Sequence, residues 1–224
     1  MQFAAAVPGP ALGPGELTAL LASRRPLRHA RGELIHPAGA PATRLYLVAQ
    51  GRVRLSRPVP DGHQVTLALL DEGMAFGHEA LLDDAAYGAR AEALRDCVLQ
   101  AFTRSEVLAL VDARPDAGLA LMAALAERLT AADEQIASLA FRSVGARLAA
   151  KLLELADRYG RITPAGVRID ERFTHQQLSE LIGTSRETLT KALNELRVGG
   201  VVEVAERRLV LRDQAALERM RRAR

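Results

Sequence analysis

Arg186 and Glu187 stand side by side, and Lys191 and Asn194 follow Glu187 by four and seven residues. An arginine can donate two parallel hydrogen bonds to guanine O6 and N7, and a glutamate can accept from the cytosine amino group. A carboxylate is repelled by phosphate, so a glutamate beside that arginine suits a position that reads a base. Thr184 and Ser185, just upstream, carry hydroxyls that can bond phosphates or base edges. The chemistry these residue types serve together is recognition of paired bases in double-stranded DNA.

Such side chains need a helix end that can enter a groove, and FTHQQLSELIGTSRETLTKALNEL (Phe173 to Leu196) is built to provide one. Thr174 is a good N-cap, and Gln177 three residues later completes a capping-box spacing. Leu178, Leu181 and Ile182 form one apolar face at helical spacing. Gly183 sits where the chain must turn, because glycine tolerates a positive φ. Thr184 or Ser185 then caps a second helix, whose buried stripe is Leu189, Ala192, Leu193 and Leu196. Arg186, Glu187, Thr190, Lys191 and Asn194 are left on the other side. This predicts a helix-turn-helix whose second helix enters the major groove. The plainer alternative is a solvated helical hairpin in an all-α core. Two short strand-like runs, Val201 to Val204 and Leu209 to Leu211, follow with Ala205, Glu206 and Arg207 as their turn. They favour a winged helix, with Arg207 and Arg208 either at the DNA backbone or on ordinary surface.

Charge is distributed accordingly. Residues 1–140 carry 13 basic and 16 acidic side chains, whereas residues 141–224 carry 17 and 11. The basic half is the half with the helix-turn-helix, as phosphate attraction requires. Lys151 and Lys191 are the only lysines, a compositional bias toward arginine without functional meaning. The single cysteine, Cys97, excludes a disulfide framework. No apolar run is long enough for a membrane span, and the N-terminus lacks the positive start and apolar core of a signal peptide. A cytoplasmic protein is expected.

The first half follows a different pattern. Met1 to Gly15 is a loose Ala/Pro/Gly lead, and Glu16 to Ser23 a short helix. From Leu27 to Phe102 short strands alternate with turns: Leu45 to Val48, Val53 to Ser56, Val65 to Leu70, Ala89 to Leu94 and Val98 to Phe102. Glycines at 32, 39, 51, 62, 73 and 77 punctuate the segment, and Asp61-Gly62 is a strong turn signal. The spacing predicts a β-sandwich or barrel. A long helix, Asp116 to Phe141, comes next. Gly118, Met122, Leu125, Leu129, Ala132, Ile136 and Leu139 recur in steps of four and three, which is a heptad seam. It predicts pairing of two copies; the alternative is a helix lying on its own barrel. Val144 to Tyr159 is a further amphipathic helix. The chain thus reads as α+β, with a barrel domain over 1–115, a dimerisation helix over 116–142 and a winged helix-turn-helix over 143–224.

Barrel, heptad helix and winged helix-turn-helix in this order resemble the cyclic-AMP receptor and fumarate–nitrate-reduction family of bacterial transcription regulators. The likeness covers nearly the whole chain after Glu16. It is strongest in LYLVAQGRVRL, LLDEGMAFGHEALL, SLAFRSVGARLAAKLLEL and GTSRETLTKALNELR. It implies a jelly-roll N-terminal domain of the cyclic-nucleotide-binding type and a homodimer paired through Met122, Leu125, Leu129, Ile136 and Leu139. It implies that Arg186, Glu187 and Lys191 face a TGTGA-like half-site, with lysine where the receptor has arginine. Thr174, Gln176, Ser185 and Thr188 are implied phosphate contacts. RNA polymerase is an implied partner, and activation is the commoner role in the family.

The effector site departs from the cyclic-AMP pattern. The family holds the cyclic phosphate and ribose with a Gly-Glu pair and an Arg-Ser pair. Here Gly77 and Glu79 are separated by His78, and Tyr87 and Gly88 fall at the Arg-Ser positions. Ala132 and Asp133 replace the adenine-facing Thr-Ser pair. An anionic phosphate buried without a cation is costly, so use of cyclic AMP is not expected. One cysteine cannot hold an iron–sulfur cluster. His78 in a loop reads as polar surface rather than a haem ligand, and Cys97 as a small buried thiol rather than a redox switch. No cofactor or metal is expected. An unidentified ligand or redox signal in the barrel, or none, remain as alternatives. A sensing module with a helix-turn-helix turned to protein contact is a competing class, which Arg186 beside Glu187 argues against. No phosphate loop, zinc spacing or nucleophile–base pair points to an enzyme. The pairs Asp83-Asp84 and Asp170-Glu171 read as solvated loops.

Overall fold

A computed structural model describes residues 26–59, 64–205 and 207–222. The N-terminal lead, the helix expected over Glu16 to Ser23, the Asp61-Gly62 turn and Glu206 of the wing turn lie outside the described residues. The chain divides into two compact units, with the boundary between Ala132 and Asp133.

The first unit runs β1 (Leu27–His29), β2 (Leu34–His36), β3 (Leu45–Gln50), β4 (Val53–Pro58), β5 (Gln64–Leu70) and β6 (Ala75–Phe76). A 3-10 turn (His78–Leu81), β7 (Arg90–Ala93), β8 (Cys97–Phe102) and helix α1 (Arg104–Ala113) follow, and then α2 (Pro115–Phe141). The strands form two four-stranded sheets, in the orders β1-β8-β3-β6 and β2-β7-β4-β5. Antiparallel pairing runs through both. Alternation along the strands sends Val48, Val53, Leu55, Ala91, Ala93 and Leu99 into a shared core. Outward neighbours find charged partners: Arg54 lies opposite Glu92 across β4 and β7 and bonds it at 3.2 Å. Gly51 turns β3 into β4 at φ 96°, where a Cβ would lie 2.4 Å from the Asp96 carbonyl oxygen. Only glycine fits that approach.

Helix α2 is 27 residues long, and Ala117 is its one buried residue. Leu121 packs on the apolar cluster of Leu45, Leu47, Phe102 and Val107. Gly118, counted in the heptad pattern, instead meets Val111 of α1, 3.2 Å from where its Cβ would stand. That first step of the repeat therefore faces the chain's own α1.

The second unit contains α3 (Val144–Tyr159), β9 (Gly160–Thr163), β10 (Gly166–Ile169), α4 (His175–Ile182), α5 (Arg186–Val198), β11 (Val202–Ala205), β12 (Arg208–Leu211) and α6 (Gln214–Arg222). Leu148, Leu152 and Leu155 of α3 are fully buried, as their spacing predicts. The expected wing is β11–β12, but it belongs to a larger sheet in the order β11-β12-β10-β9. Among the described residues no helix is long and apolar enough to cross a membrane.

Candidate functional site

The helix-turn-helix is α4, the turn at Gly183, and α5. Thr174 caps α4: its Oγ1 accepts from the Gln177 amide at 3.1 Å, and Gln177 Oε1 accepts from the Thr174 amide at 2.9 Å. Gly183 ends α4 at φ 63°. Ser185, rather than Thr184, caps α5 by accepting from the Thr188 amide at 3.2 Å. Leu189, Leu193 and Leu196 are buried beneath α5. This stripe orients the helix so that Arg186, Glu187, Thr190, Lys191 and Asn194 line one shallow, exposed groove. The three residues expected to read bases are thus brought together on one face.

The expected phosphate contacts are less uniform. The Thr174 hydroxyl accepts in its cap and keeps its own proton to donate. Ser185 and Thr188 share a hydroxyl–hydroxyl bond of 3.0 Å at the exposed start of α5. Gln176 departs from expectation: it is half-buried, and its amide donates to Glu180 at 2.9 Å. A buried carboxylate needs donors, and Gln176 meets that need first. The two wing arginines also separate. Arg207 is exposed at the turn with φ 62°, whereas Arg208 turns back to Asp170 at 3.4 Å. Asp170 also takes Arg168 at 2.8 Å, so it ties β10 to β12 and is not a solvated loop residue. Asp83 pairs with Arg104.

Sequence reasoning missed two contacts that hold the turn. Arg147 of α3 donates to the Gly183 carbonyl at 3.3 Å. Leu139 reaches the same residue, its Cδ2 standing 2.8 Å from where a Gly183 Cβ would be. Leu139, 43% exposed, thus also approaches its own chain at this turn. Met122, Leu125, Leu129 and Ile136 are 59%, 37%, 64% and 65% exposed on α2.

In the first unit four of the effector positions, Gly77, Glu79, Tyr87 and Gly88, lie together. Tyr87 is not a pocket wall; it is 4% exposed, and its ring stacks on His36 with centroids 3.7 Å apart. Its hydroxyl donates to the Arg44 carbonyl at 2.9 Å. Burial, helped by Tyr87, pushes the neighbouring Tyr46 phenol up to about 12. Gly77 lies beside the two tyrosine rings, and a Cβ there would stand 3.2 Å from Tyr87 and 3.3 Å from Tyr46. Glu79 Oε1 accepts the Gly88 amide at 3.0 Å. The Gly88 carbonyl accepts twice from Arg57, at 3.0 and 2.7 Å. Arg57 is a cation at this spot that the sequence could not assign, since it lies 31 residues away on β4. Ala132 and Asp133 are exposed on α2. Cys97 is buried, donates to the Arg52 and Arg95 carbonyls, and burial raises its thiol above the usual range.

His78 departs most from expectation. It is not polar surface: Arg128 of α2 donates to its Nδ1 at 3.3 Å, so the ring proton sits on Nε2, which is buried without a hydrogen-bond partner among the described residues. Burial first, and then the Arg128 charge, hold its pKa down to about 4. A histidine held below its ordinary value stabilises the fold above about pH 6.5, and that contribution is lost as pH falls toward 4. The loss is at most about 3 kcal/mol. Urea midpoints measured from pH 7 to 4 are expected to fall less steeply for His78→Gln than for the natural protein; parallel curves would contradict the assignment.

A profile for the cyclic nucleotide-binding domain matches residues 26–114, and one for a Crp-like helix-turn-helix domain matches residues 146–220. The chain is 36% identical over 207 residues to a cyclic AMP receptor protein of Thermus thermophilus, covering 92% of this chain and 93% of that one. It is 33% identical to a global nitrogen regulator of Synechocystis, over 84% of each chain. A solved transcriptional regulator of the CRP family from Thermus thermophilus superposes with a TM-score of 0.76 at 31% identity, covering 88% of this chain and 97% of that one.

Proposed function

The chain belongs to the Crp/Fnr family of transcription regulators, with a helix-turn-helix DNA-binding domain, and on that basis we propose that it is a homodimeric activator that reads a TGTGA-like pseudo-palindrome without needing cyclic AMP. The observation that carries the reading is the groove on α5, where Arg186, Glu187 and Lys191 stand exposed above a buried leucine stripe. Arg186 pairs with guanine, Glu187 with cytosine, and Lys191 with a neighbouring base. Thr174, Ser185 and Thr188 hold the backbone. Two copies paired along Met122, Leu125, Leu129 and Ile136 present the groove twice. RNA polymerase is the partner activation requires. The division into a barrel domain (1–115), a dimerisation helix (116–142) and a DNA-binding domain (143–224) fits these roles. The relatives are regulators, not enzymes, and this protein works inside the cell.

Independence from cyclic AMP is supported by Tyr87, which stands where a phosphate-binding arginine is needed and is committed to the barrel core. Glu79 is already bonded to Gly88, and so is Arg57. Calorimetry is expected to find no cyclic-AMP binding at micromolar concentration. Binding that disappears in Arg57→Ala would overturn this and make Arg57 the phosphate partner. Relatives named for cyclic AMP and for nitrogen control occur at similar identity, so membership of the family does not choose the signal.

One observation favours a second reading. Arg128 is half-buried, burial lowers its pKa, and its hydrogen bond runs to a neutral histidine. A small anion would neutralise that cation better than His78 does, which fits control by an unidentified ligand. The buried, bonded Cys97 offers no comparable support for redox control. Selection of bound sequences from a random duplex pool, with and without cyclic AMP, tests operator, symmetry and effector together. Unselective recovery would refute the base-reading role.

A further inference from the structure

His175 opens α4, and its Nδ1 lies 3.0 Å from Thr190 Oγ1 on α5. Thr190 lines the base-reading groove. Its hydroxyl has one proton, and that proton is donated to the Arg186 carbonyl at 2.8 Å. Toward His175 the oxygen can therefore only accept, which makes Nδ1 the protonated nitrogen of the ring. In the neutral imidazole Nε2 is then a lone pair. The first helix of a helix-turn-helix crosses the DNA backbone while the second lies in the groove. In that arrangement a ring at the start of α4, bonded to the groove face of α5, would stand toward the phosphate backbone. A lone pair against an anionic oxygen repels; an N–H on a charged ring forms a charge-assisted bond.

We propose that His175 is a proton-coupled phosphate contact: Thr190 fixes its tautomer, and DNA binding draws a proton onto Nε2. The proposal rests on the DNA-binding reading above. Each bound subunit takes up about one proton, so affinity rises as pH falls. The charged side chains on the elements packed against α4 do not supply this response. On α5 they are Arg186, Glu187 and Lys191 near the groove, with Glu195 and Arg197 farther along. On α3, Arg147 bonds the Gly183 carbonyl at the far end of α4, Lys151 and Arg158 pair with Glu154, and Asp157 completes the set. On α4 itself Glu180 bonds Gln176, and Glu171 and Arg172 precede the helix. An imidazole is the side chain whose charge ordinarily changes between pH 5 and 8.

The test is the dissociation constant on a selected duplex at pH 6, 7 and 8 and constant salt, for the natural protein, His175→Gln and His175→Arg. The natural protein is expected to gain at least about tenfold in affinity from pH 8 to pH 6. His175→Gln should bind with a flatter profile, because its amide has no proton to gain. His175→Arg should bind tightly with the same flat profile, because its charge is fixed. Histidines of the first unit contribute equally to all three proteins, so the difference in slope belongs to His175. Parallel profiles for the natural protein and His175→Gln, with both still bound to DNA, would overturn the proton coupling alone. Failure of the natural protein to bind at every pH would overturn the DNA-binding reading and this proposal with it.

Discussion

Leu129→Glu is expected to give a monomer on a sizing column and to weaken binding to a two-half-site operator by at least about a hundredfold, since the second half-site is no longer engaged within one molecule. Leu129 is 64% exposed, near the middle of an apolar face that includes Met122 and Ile136. An exposed stripe of this kind on a 27-residue helix with one buried residue is surface that a second copy would cover. In the proposed dimer, glutamate there would place two carboxylates opposite each other inside an apolar interface, where an unpaired charge is costly. The substitution removes nothing from the barrel core, so binding to a single half-site should be unchanged. A dimer that survives Leu129→Glu would place the interface elsewhere.

Arg186→Ala is expected to cost about 1–3 kcal/mol on the selected operator and to relax preference at one base pair in each half-site. Arg186 is exposed at the first position of α5, and the leucines that seat the helix begin at Leu189. The loss is therefore one of recognition, not of folding. It should be much smaller on random duplex, where a single cation contributes only its share of phosphate attraction. Equal losses on both duplexes, measured at one salt concentration, would remove Arg186 from base reading.

The Arg186 expectation rests on features that were readable from residue order, because local physics decides them. A threonine three residues before a glutamine, a glycine after an apolar stripe and leucines at helical spacing each carry their own geometry. The capping box at Thr174, the positive φ at Gly183 and the buried stripe of α5 followed accordingly. What escaped was decided by distant partners. Strands β9 and β10 have no strong local pattern, and β10 is fixed by pairing with β12, where Val167 faces Leu211. Arg208 has the sequence position of a wing-tip arginine, but Asp170, 38 residues upstream, lies beside it and pairs with it. Tyr87 occupies a position expected to face a ligand, but the ring of His36 draws it inward. His78 takes its character from burial and from Arg128, fifty residues downstream.

Pairing of two copies along the exposed apolar face of α2, as proposed, would also have a consequence for dosage. A protein that must pair before it can grip both halves of its operator responds to its own abundance. While single chains predominate, paired molecules accumulate as the square of the total, so a twofold rise in synthesis gives about a fourfold rise in operator occupancy. Gene output would then change more steeply than the amount of regulator even with no small molecule present.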